Sequence, residues 1–252
     1  MNSLQIINKV KKNILIVSNK QKKGHIPSAF SILDFIFHFY NKKMNINSDF
    51  ILCKGHGCLA LYGVLEYFKY ITNDQFMSFG EFNSILGGHP HLNKHSEIKA
   101  STGSLGHGLP IALGKALALK IKNKNKKIYC LIGDGEANEG TTWESALLAS
   151  HLKLNNLICI IDNNSSQIRS LPTRNLNEKF ISFDWQTKEI DGHNESEVIK
   201  FLNSNNITDK PLCLILNTIK GKGIKAMEED FFGWHHKGVD DQFLDSFINE
   251  LK

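Results

Sequence analysis

Short apolar runs that alternate with helical segments constrain the fold of this chain more than any other feature. The runs KIYCLIGD (127–134), NLICIID (156–162) and PLCLILNTI (211–219) hold few polar side chains between their first and last residues. A strand with one solvated face alternates apolar and polar residues, whereas a strand covered on both faces is apolar throughout. Helical patterns at 143–153 and 195–204 separate the runs. We therefore predict an α/β fold with a doubly wound, mostly parallel sheet and helices on both faces.

The rest of the chain fits the same alternation of elements. The further predicted elements are helices at 2–18, 27–40, 59–71, 73–80 and 108–121, and a buried strand that starts at Phe50 in FILCKGH. Residues 87–107 hold many glycine, histidine and serine residues, which indicates a functional loop region. No internal repeat or linker interrupts the chain, so we expect a single domain over residues 1–252.

The charge pattern argues against a nucleic-acid partner. The net charge is +5, but only two of the 30 cationic residues, Arg169 and Arg174, are arginines. Nucleic-acid binders usually gather arginine and lysine with aromatic residues on one face. The lysine clusters at 9–12, 20–23 and 120–127 are better explained as solvated surface.

Apolar runs and cysteines predict a cytoplasmic protein. No run of about 18 uncharged apolar residues is present, so we expect no membrane span. The apolar run from Ile14 to Val17 is too short for a secretory signal. The five cysteines form no paired framework, which is typical of free thiols in a reducing compartment. Cys130, Cys159 and Cys213 lie inside the apolar runs, and we expect them to be small core residues.

Polar residues close two neighbouring strands. Gly133–Glu136 (GDGE) follows the first apolar run, and Asp162–Asn164 follows the next, with Asn164 thirty residues after Asp134. Ligands of doubly wound sheets bind at the carboxyl ends of strands. Asp134 and Asn164 are thus placed to offer a carboxylate and an amide oxygen to one Mg²⁺ or Ca²⁺. Glycines let a phosphate approach the backbone, and a helix that begins near Thr141 adds its N-terminal dipole. For GDG alone an ordinary loop with capping side chains remains an alternative, but the pair of motifs favours a Mg²⁺–diphosphate site.

The paired motifs belong to a longer ordered set. The set consists of KKGHIPSAFS, CKGHGCLALYGVL, GGHP, STGSLGHGLPIALGKALA, GDGEANEGTTWESALLASHLKLNNLICIIDNN, DGHN, TIKGKGI and WHHK, which cover nearly the whole chain. With these segments the chain resembles the transketolase family, specifically its N-terminal half, the domain that binds the cofactor diphosphate (PP domain). The resemblance implies thiamine diphosphate and Mg²⁺ as cofactors, with Ca²⁺ or Mn²⁺ able to replace the metal.

Binding roles for individual residues follow from the resemblance. The implied metal ligands are Asp134, the side chain of Asn164 and the backbone carbonyl of Ser166. The implied cofactor-binding residues are His56, Gly103, Ser104, Leu105, Gly133, Gly135, Glu136, Asn164, Lys222 and His235. In this set, Gly103–Leu105 matches the loop that supports the aminopyrimidine. A capping role for His56 and a solvated position for Lys222 are the alternatives.

The resemblance also implies catalytic roles for His25, His89, His235 and Glu139. Ketol transfer requires proton movement, and histidine both donates and accepts protons near neutral pH. His235 is preferred to its neighbour His236 by position alone. Glu139 matches a glutamate that tunes the cofactor site across a subunit interface; a carboxylate favoured by the helix dipole is the alternative.

Some positions depart from the family pattern. His107 stands where glutamine is usual, Pro27 follows the first histidine motif, and Cys58 replaces a common alanine. The loop before FILCKGH also looks short. These departures would reshape a sugar pocket, but they leave Asp134 and Asn164 in place.

The function implied by the resemblance is that of one chain of a transketolase, which transfers a two-carbon ketol unit from a ketose phosphate to an aldose. In the family, the glutamate that activates the aminopyrimidine and the arginines that bind substrate phosphate lie in the pyrimidine-binding portion. About 30 residues follow Lys222, too few for that portion. We therefore expect a separate C-terminal transketolase subunit, in an αβ or α2β2 assembly, and no activity without it.

Several other functions are alternatives to this one. A transketolase-like enzyme of a specialised sugar pathway and a deoxyxylulose-phosphate-synthase-like or 2-oxoacid-dehydrogenase-like reaction would keep the cofactor. A non-catalytic scaffold has no physical need of Asp134, Asn164 and the histidines. A Rossmann dinucleotide binder is disfavoured because no GxGxxG follows the first strand.

Overall fold

A computed structural model describes residues 1–92, 97–204 and 209–251, with residues 43–46 described as backbone only. The helices are α1 Ser3–Gln21, α2 Ile26–Phe30, α3 Leu33–Ile46, α4 Cys58–Tyr67, α5 Asn73–Met77, α6 Gly108–Ile121, α7 Gly140–His151, α8 Leu176–Ser182, α9 Glu195–Leu202, α10 Lys225–Glu229 and α11 Asp241–Glu250. The strands are β1 Ser48–Leu52, β2 Lys127–Gly133, β3 Leu157–Asn163, β4 Gln186–Asp191 and β5 Leu212–Asn217. Short 3-10 helices cover Gly55–Gly57 and Asp134–Asn138.

The five strands form one parallel sheet in the order β1-β2-β3-β5-β4. All residues of β2 except Lys127, and all of β3 except Asn163, are buried. Because successive side chains point to opposite faces of a strand, this burial shows that both faces of the sheet are covered. The α/β fold with a parallel sheet is therefore confirmed. Cys130, Cys159 and Cys213 are buried neighbours in register across β2, β3 and β5, as expected of core residues.

Contacts group the chain into two compact units. The first unit comprises Met1–Tyr40, Gly55–Ser101 and Ile219–Lys252, and the second comprises Asn41–Lys54 and Thr102–Thr218. The single domain over residues 1–252 stays a prediction.

The second unit contains the sheet. Helix α6 packs against β1, β2 and β3, while α8 packs against β4 and β5 and α9 against β4. In the first unit α1 contacts α2, α4 and α11, and α4 contacts α2 and α5. No helix among the described residues is both long and apolar enough to cross a membrane.

The single helix predicted over 27–40 is wrong, because the chain turns between α2 and α3. The hydroxyl of Ser31 donates to the carbonyl of Ser28 over 3.1 Å, and the amide of Ile32 bonds to Ala29 rather than one residue further back. Serine competes with the helix for its own backbone groups in this way. The break leaves His25 immediately before the short helix α2.

Strand β4 and helix α8 were not predicted. In β4 every side chain is exposed or only partly buried. It lies at an edge of the sheet, and within the described part of the chain it pairs with β5 alone. An edge strand of this kind lacks the continuous apolar run that identifies the central strands.

Candidate functional site

Two groups of polar side chains stand out, one in each unit. In the second unit, Asp134, Glu136, Asp162, Asn164 and Lys54 lie at or just beyond the carboxyl ends of β1, β2 and β3; we call this group the acidic edge. The sheet pairs Gly133 of β2 with Asp162 of β3, so the two motifs predicted to close neighbouring strands do lie at one edge. In the first unit, His25, His56, His235 and His236 form a histidine cluster, defined by the ring contacts given below.

Asp134 begins the 3-10 helix after β2 and is only 6% exposed. Its Oδ1 accepts a hydrogen bond from the Gly135 amide over 2.9 Å. Burial raises the pKa of the Asp134 carboxyl, and the charge of Asp162 raises it further, while Lys54 opposes both effects. A nearby cation would favour the ionised carboxylate that burial disfavours.

Asn164 follows β3 and is also buried. Its Nδ2 donates to Oδ2 of Asp162 over 2.7 Å. Its Oδ1 accepts from the backbone amide of Ser166 over 3.1 Å and from the Ser166 hydroxyl over 2.5 Å. The amide oxygen of Asn164 therefore points away from Asp162.

Glu136 joins three loops of the second unit through one buried carboxylate. Its Oε1 accepts from the Gly106 amide over 2.9 Å and from Cys53 Sγ over 2.8 Å, and its Oε2 accepts from the Gly133 amide over 2.8 Å. Burial raises the pKa of the Glu136 carboxyl, although these donors partly offset that effect. The side chain thus positions the loops around the GDG motif, a contribution that the sequence resemblance did not separate from direct cofactor contact.

The loop Gly103–Leu105 is held close to the same carboxylate. Thr102, just before it, donates from its hydroxyl to the Leu52 carbonyl over 2.6 Å. Gly106, just after it, has a φ of +81°, and a Cβ there would lie 2.6 Å from the Cβ of Glu139, so glycine is required. His107 folds back on the loop, with its Nδ1 3.2 Å from the Ser104 hydroxyl. The loop is therefore fixed at both ends, while Ser104 and Leu105 are exposed.

Glu139 occupies a different environment from Glu136. It is exposed and lies immediately before α7, where its side chain forms no capping hydrogen bond. Its role at a subunit interface stays a prediction.

The acidic edge fits a hard divalent cation. Asp134 offers a buried carboxylate, and Asn164 offers an amide oxygen whose orientation is set by its neighbours. Within residues 1–92, 97–204 and 209–251, no group of three or more His, Cys, Asp or Glu side chains is placed to hold a metal ion. A cation here would need amide, backbone, phosphate or water oxygens in addition to Asp134, which is the usual composition of a Mg²⁺ site.

The histidine cluster is built on the start of α2. Gly24, with a φ of +136°, brings the chain into His25, and a Cβ on Gly24 would lie 2.8 Å from Leu59 Cδ1. The ring centroid of His25 lies 5.2 Å from that of His56, 5.5 Å from that of His235 and 4.5 Å from that of His236. The structure thus brings His25, His56 and His235 together, and it adds His236.

Burial and nearby basic groups change the acid–base properties of His25. Burial lowers the pKa of His25 to about 4, and His236, His235, His89 and Lys220 lower it as well. His25 is therefore neutral at neutral pH, so its ring has one donor and one acceptor nitrogen.

Lys220 is a residue of this cluster that the sequence patterns did not identify. It is 2% exposed, and its Nζ lies 2.7 Å from Nδ1 of His235. For Lys222, the predicted cofactor lysine, the contact is through the backbone: its carbonyl accepts a hydrogen bond from Lys11 Nζ. Both lysines lie in the motif KGKG, so only the fold separates them, and the role of Lys222 stays a prediction.

The GGHP loop carries His89, which is exposed. The hydroxyl of Tyr62 donates to the carbonyls of Gly87 and His89 over 3.1 and 3.0 Å, and Cys58 Sγ lies 3.2 Å from the carbonyl of Gly88. Helix α4 therefore fixes the backbone of this loop and leaves the imidazole of His89 accessible.

Known proteins are similar to this chain over most of its length. The family described as "Transketolase, thiamine diphosphate binding domain" matches residues 5–238. One of the subunits of the apulose-4-phosphate transketolase of Phocaeicola vulgatus is 35% identical over 243 residues, which are 90% of this chain and 86% of that protein. The 6-deoxy-6-sulfo-D-fructose transketolase subunit SqwG of a Clostridium species is 31% identical over 260 residues, with 97% of this chain and 94% of that protein covered.

The fold matches solved transketolases. The transketolase of Campylobacter jejuni superposes on 100% of this chain with a TM-score of 0.87 and 24% identity. The superposition covers 43% of that protein, so this chain spans less than half of its length. The structural match shows the fold, and the family match with the two similar subunits shows that the chain belongs to the transketolase family, as its N-terminal, thiamine diphosphate-binding portion.

Proposed function

We propose that this chain is the cofactor-diphosphate subunit of a two-chain transketolase that transfers a two-carbon ketol unit from a ketose, usually phosphorylated, to an aldose. The observation that carries the proposal is the pair of buried oxygen donors, Asp134 and Asn164, at the carboxyl ends of adjacent strands of the family domain. Thiamine diphosphate supplies an electron sink for bonds next to a carbonyl carbon. The residues of this chain supply binding, orientation and proton transfer.

The acidic edge would bind the metal and the diphosphate. Asp134 and the amide oxygen of Asn164 would ligate Mg²⁺, with the backbone carbonyl of Ser166 as a third protein ligand. Gly133 and Gly135 allow the backbone to approach phosphate oxygens. Glu136 would hold Gly133 and the end of the loop Gly103–Leu105 in place through its bonds to the Gly133 and Gly106 amides.

The histidine cluster would handle protons of the sugar hydroxyls. His25 is neutral at neutral pH, because its pKa is lowered to about 4, and can therefore accept a proton. A lysine ammonium donates hydrogen bonds and cannot accept them. Lys220 therefore donates to Nδ1 of His235, which places the ring proton of His235 on Nε2. His89 and His56 would contribute further polar contacts, and Glu139 would act at the subunit interface.

A partner chain is part of the proposal. The similar proteins from P. vulgatus and Clostridium are named as transketolase subunits, and the solved transketolase of C. jejuni is more than twice as long as the region that this chain matches. We propose a separately encoded pyrimidine-domain subunit, in an αβ or α2β2 complex, and a cytoplasmic location. The names of these similar proteins refer to apulose 4-phosphate and to 6-deoxy-6-sulfo-D-fructose, so phosphorylated and sulfonated ketoses are the donors to test first.

The test is reconstitution. The purified chain, a candidate partner, Mg²⁺ and thiamine diphosphate are mixed with a ketose donor and an aldose acceptor, and ketol transfer is followed by product analysis. We expect transfer by the mixture and none by either chain alone, and Asp134→Ala should abolish it. Full activity of this chain alone would overturn the two-chain proposal, and reaction with pyruvate in place of a ketose would favour a deoxyxylulose-phosphate-synthase-like reaction.

A further inference from the structure

We infer that Asp162 is a positioning residue that orients the side-chain amide of Asn164, so that its oxygen rather than its nitrogen is available to a metal ion. This inference rests on the proposed function of the acidic edge. Asp162 is fully buried, with 0% of its surface exposed. None of the roles implied by the family resemblance falls on it.

Side chains from three different segments donate hydrogen bonds to the carboxylate of Asp162. Lys54, just beyond β1, forms an ion pair with Oδ2 and is 1% exposed. Asn164 donates to the same oxygen over 2.7 Å. Thr218, just beyond β5, donates its hydroxyl to Oδ1. A buried carboxylate with this many donors is held in one position.

An asparagine side chain has a donor end and an acceptor end of nearly the same shape. In Asn164 the donor end faces the Asp162 carboxylate, and the acceptor end faces the Ser166 amide over 3.1 Å. A half-turn of the amide would place two oxygens against each other at one end and two N–H groups at the other. The Asp162 carboxylate can only accept hydrogen bonds, so together with the Ser166 amide it selects one orientation, and only the oxygen end binds a cation.

The second bond to Asn164 Oδ1 comes from the Ser166 hydroxyl, at 2.5 Å. A carbonyl oxygen has two lone pairs. The Ser166 amide uses one of them, and the hydroxyl, which rotates freely about its bond, uses the other. The hydroxyl can therefore give up its place to a cation while the Ser166 amide and Asp162 continue to hold Asn164.

Lys54 explains why Asp162 orients Asn164 without acting as a ligand itself. The ion pair neutralises the Asp162 charge within the second unit, and donors already occupy both carboxylate oxygens. The negative charge offered to a cation is then mainly that of Asp134. If Asp162 only joined neighbouring strands, it would stabilise the fold equally well. A stability measurement alone therefore does not distinguish that role from a positioning role.

The measurement that distinguishes the two roles is the affinity of the full chain for Mn²⁺ in the presence of saturating thiamine diphosphate. Free Mn²⁺ is followed by its electron paramagnetic resonance signal. Asp162→Asn allows either end of the residue 164 amide to face it, and we expect Mn²⁺ to bind about tenfold more weakly or worse. A carboxylate at position 164 has oxygen at both ends. In an Asn164→Asp background, Asp162→Asn should therefore change the Mn²⁺ affinity by less than about threefold.

Two further variants distinguish a loss of Mn²⁺ affinity from an effect of misfolding. Lys54→Met/Asp162→Asn removes both charges, which avoids an unpaired buried lysine, and it should show the same weakening as Asp162→Asn. Thr218→Val removes one donor to Asp162 but keeps its bond to Asn164, so Mn²⁺ affinity should stay within about threefold of wild type.

Each outcome decides between the proposals. Equal weakening by Asp162→Asn in both backgrounds would show that Asp162 acts by charge or structure, and it would overturn the positioning role. Unchanged Mn²⁺ affinity in a folded Asp162→Asn chain would do the same. A wild-type chain that binds no Mn²⁺ with thiamine diphosphate would overturn the proposed function of the acidic edge and this inference together.

Discussion

The acidic edge and the histidine cluster differ in how their side chains are held. At the acidic edge, Asp162 and Glu136 are buried and each accepts hydrogen bonds from three other residues. In the histidine cluster, His235 and His236 are exposed, and the rings meet at centroid distances of 4.5 to 6.1 Å.

The difference separates a rigid binding site from a titratable one. A buried network that satisfies its polar groups is fixed in one arrangement, and each missing partner is costly. Exposed and partly exposed imidazoles keep access to water and change protonation with small changes in their surroundings. The first arrangement suits the binding of a metal and a diphosphate, and the second suits proton transfer.

The largest expected effect is the loss of the buried ion pair. Lys54→Met leaves Asp162 charged and fully buried, and we expect the free energy of unfolding to fall by about 3–5 kcal/mol. Urea denaturation followed by circular dichroism measures this change. Lys210→Met, which breaks the exposed pair with Asp184, is the matched control and should cost about 1 kcal/mol or less.

Lys220→Met extends this test to the histidine cluster. Lys220 is buried, but its partner His235 is exposed and can bond to water instead. We therefore expect Lys220→Met to cost less stability than Lys54→Met in the same denaturation experiment. An equal cost would mean that the two regions are equally rigid.

The second prediction compares two glutamates of the GDG loop. Glu136→Gln keeps an acceptor for Gly106 and Cys53 but turns an NH₂ group toward the Gly133 amide, so we expect a loss of about 1–3 kcal/mol. Hydrogen exchange at the amides of Gly106 and Gly133 should become faster. The exposed Glu139, changed to glutamine, should alter stability by about 0.5 kcal/mol or less. Similar losses for both glutamates would contradict the role given to Glu136.

How far the sequence predicts the structure depends on the range of the contacts involved. Continuous apolar runs predicted β2, β3 and β5, because burial on both faces leaves a local pattern. The mostly polar edge strand β4 has no such pattern. The break between α2 and α3 depends on which backbone group the Ser31 hydroxyl bonds to, and helical periodicity does not reveal that choice.

The same division applies to the candidate site. Asp134 and Asn164 were predicted because each closes an apolar strand. Lys54 and Asp162 are distant in sequence, so no local pattern predicts their contact. Lys220, which contacts His235, shares the motif KGKG with Lys222. Only packing selects Lys220 over Lys222.

The last prediction concerns the titration of His25. The folded-state pKa of about 4 lies below the ordinary value of 6.5, so the unfolded chain binds a proton at higher pH than the folded chain does. The contribution of neutral His25 to stability is complete above about pH 6.5 and is lost as the pH falls toward 4. Histidine ring signals followed by NMR between pH 3 and pH 8 would give the midpoint directly.

His236→Ala turns this titration into a test of the cluster. Among the neighbours of His25, His236 lowers its pKa most after burial itself, so the variant should raise the pKa of His25 toward its ordinary value. His91→Ala is the matched control, since the exposed His91 is not among the groups that shift His25, and the midpoint should not move. An unchanged midpoint in His236→Ala would mean that His236 does not contribute to the lowered pKa of His25. The cluster would then be a set of packed rings rather than a group of electrostatically coupled bases, and the contrast with the acidic edge would rest on exposure only.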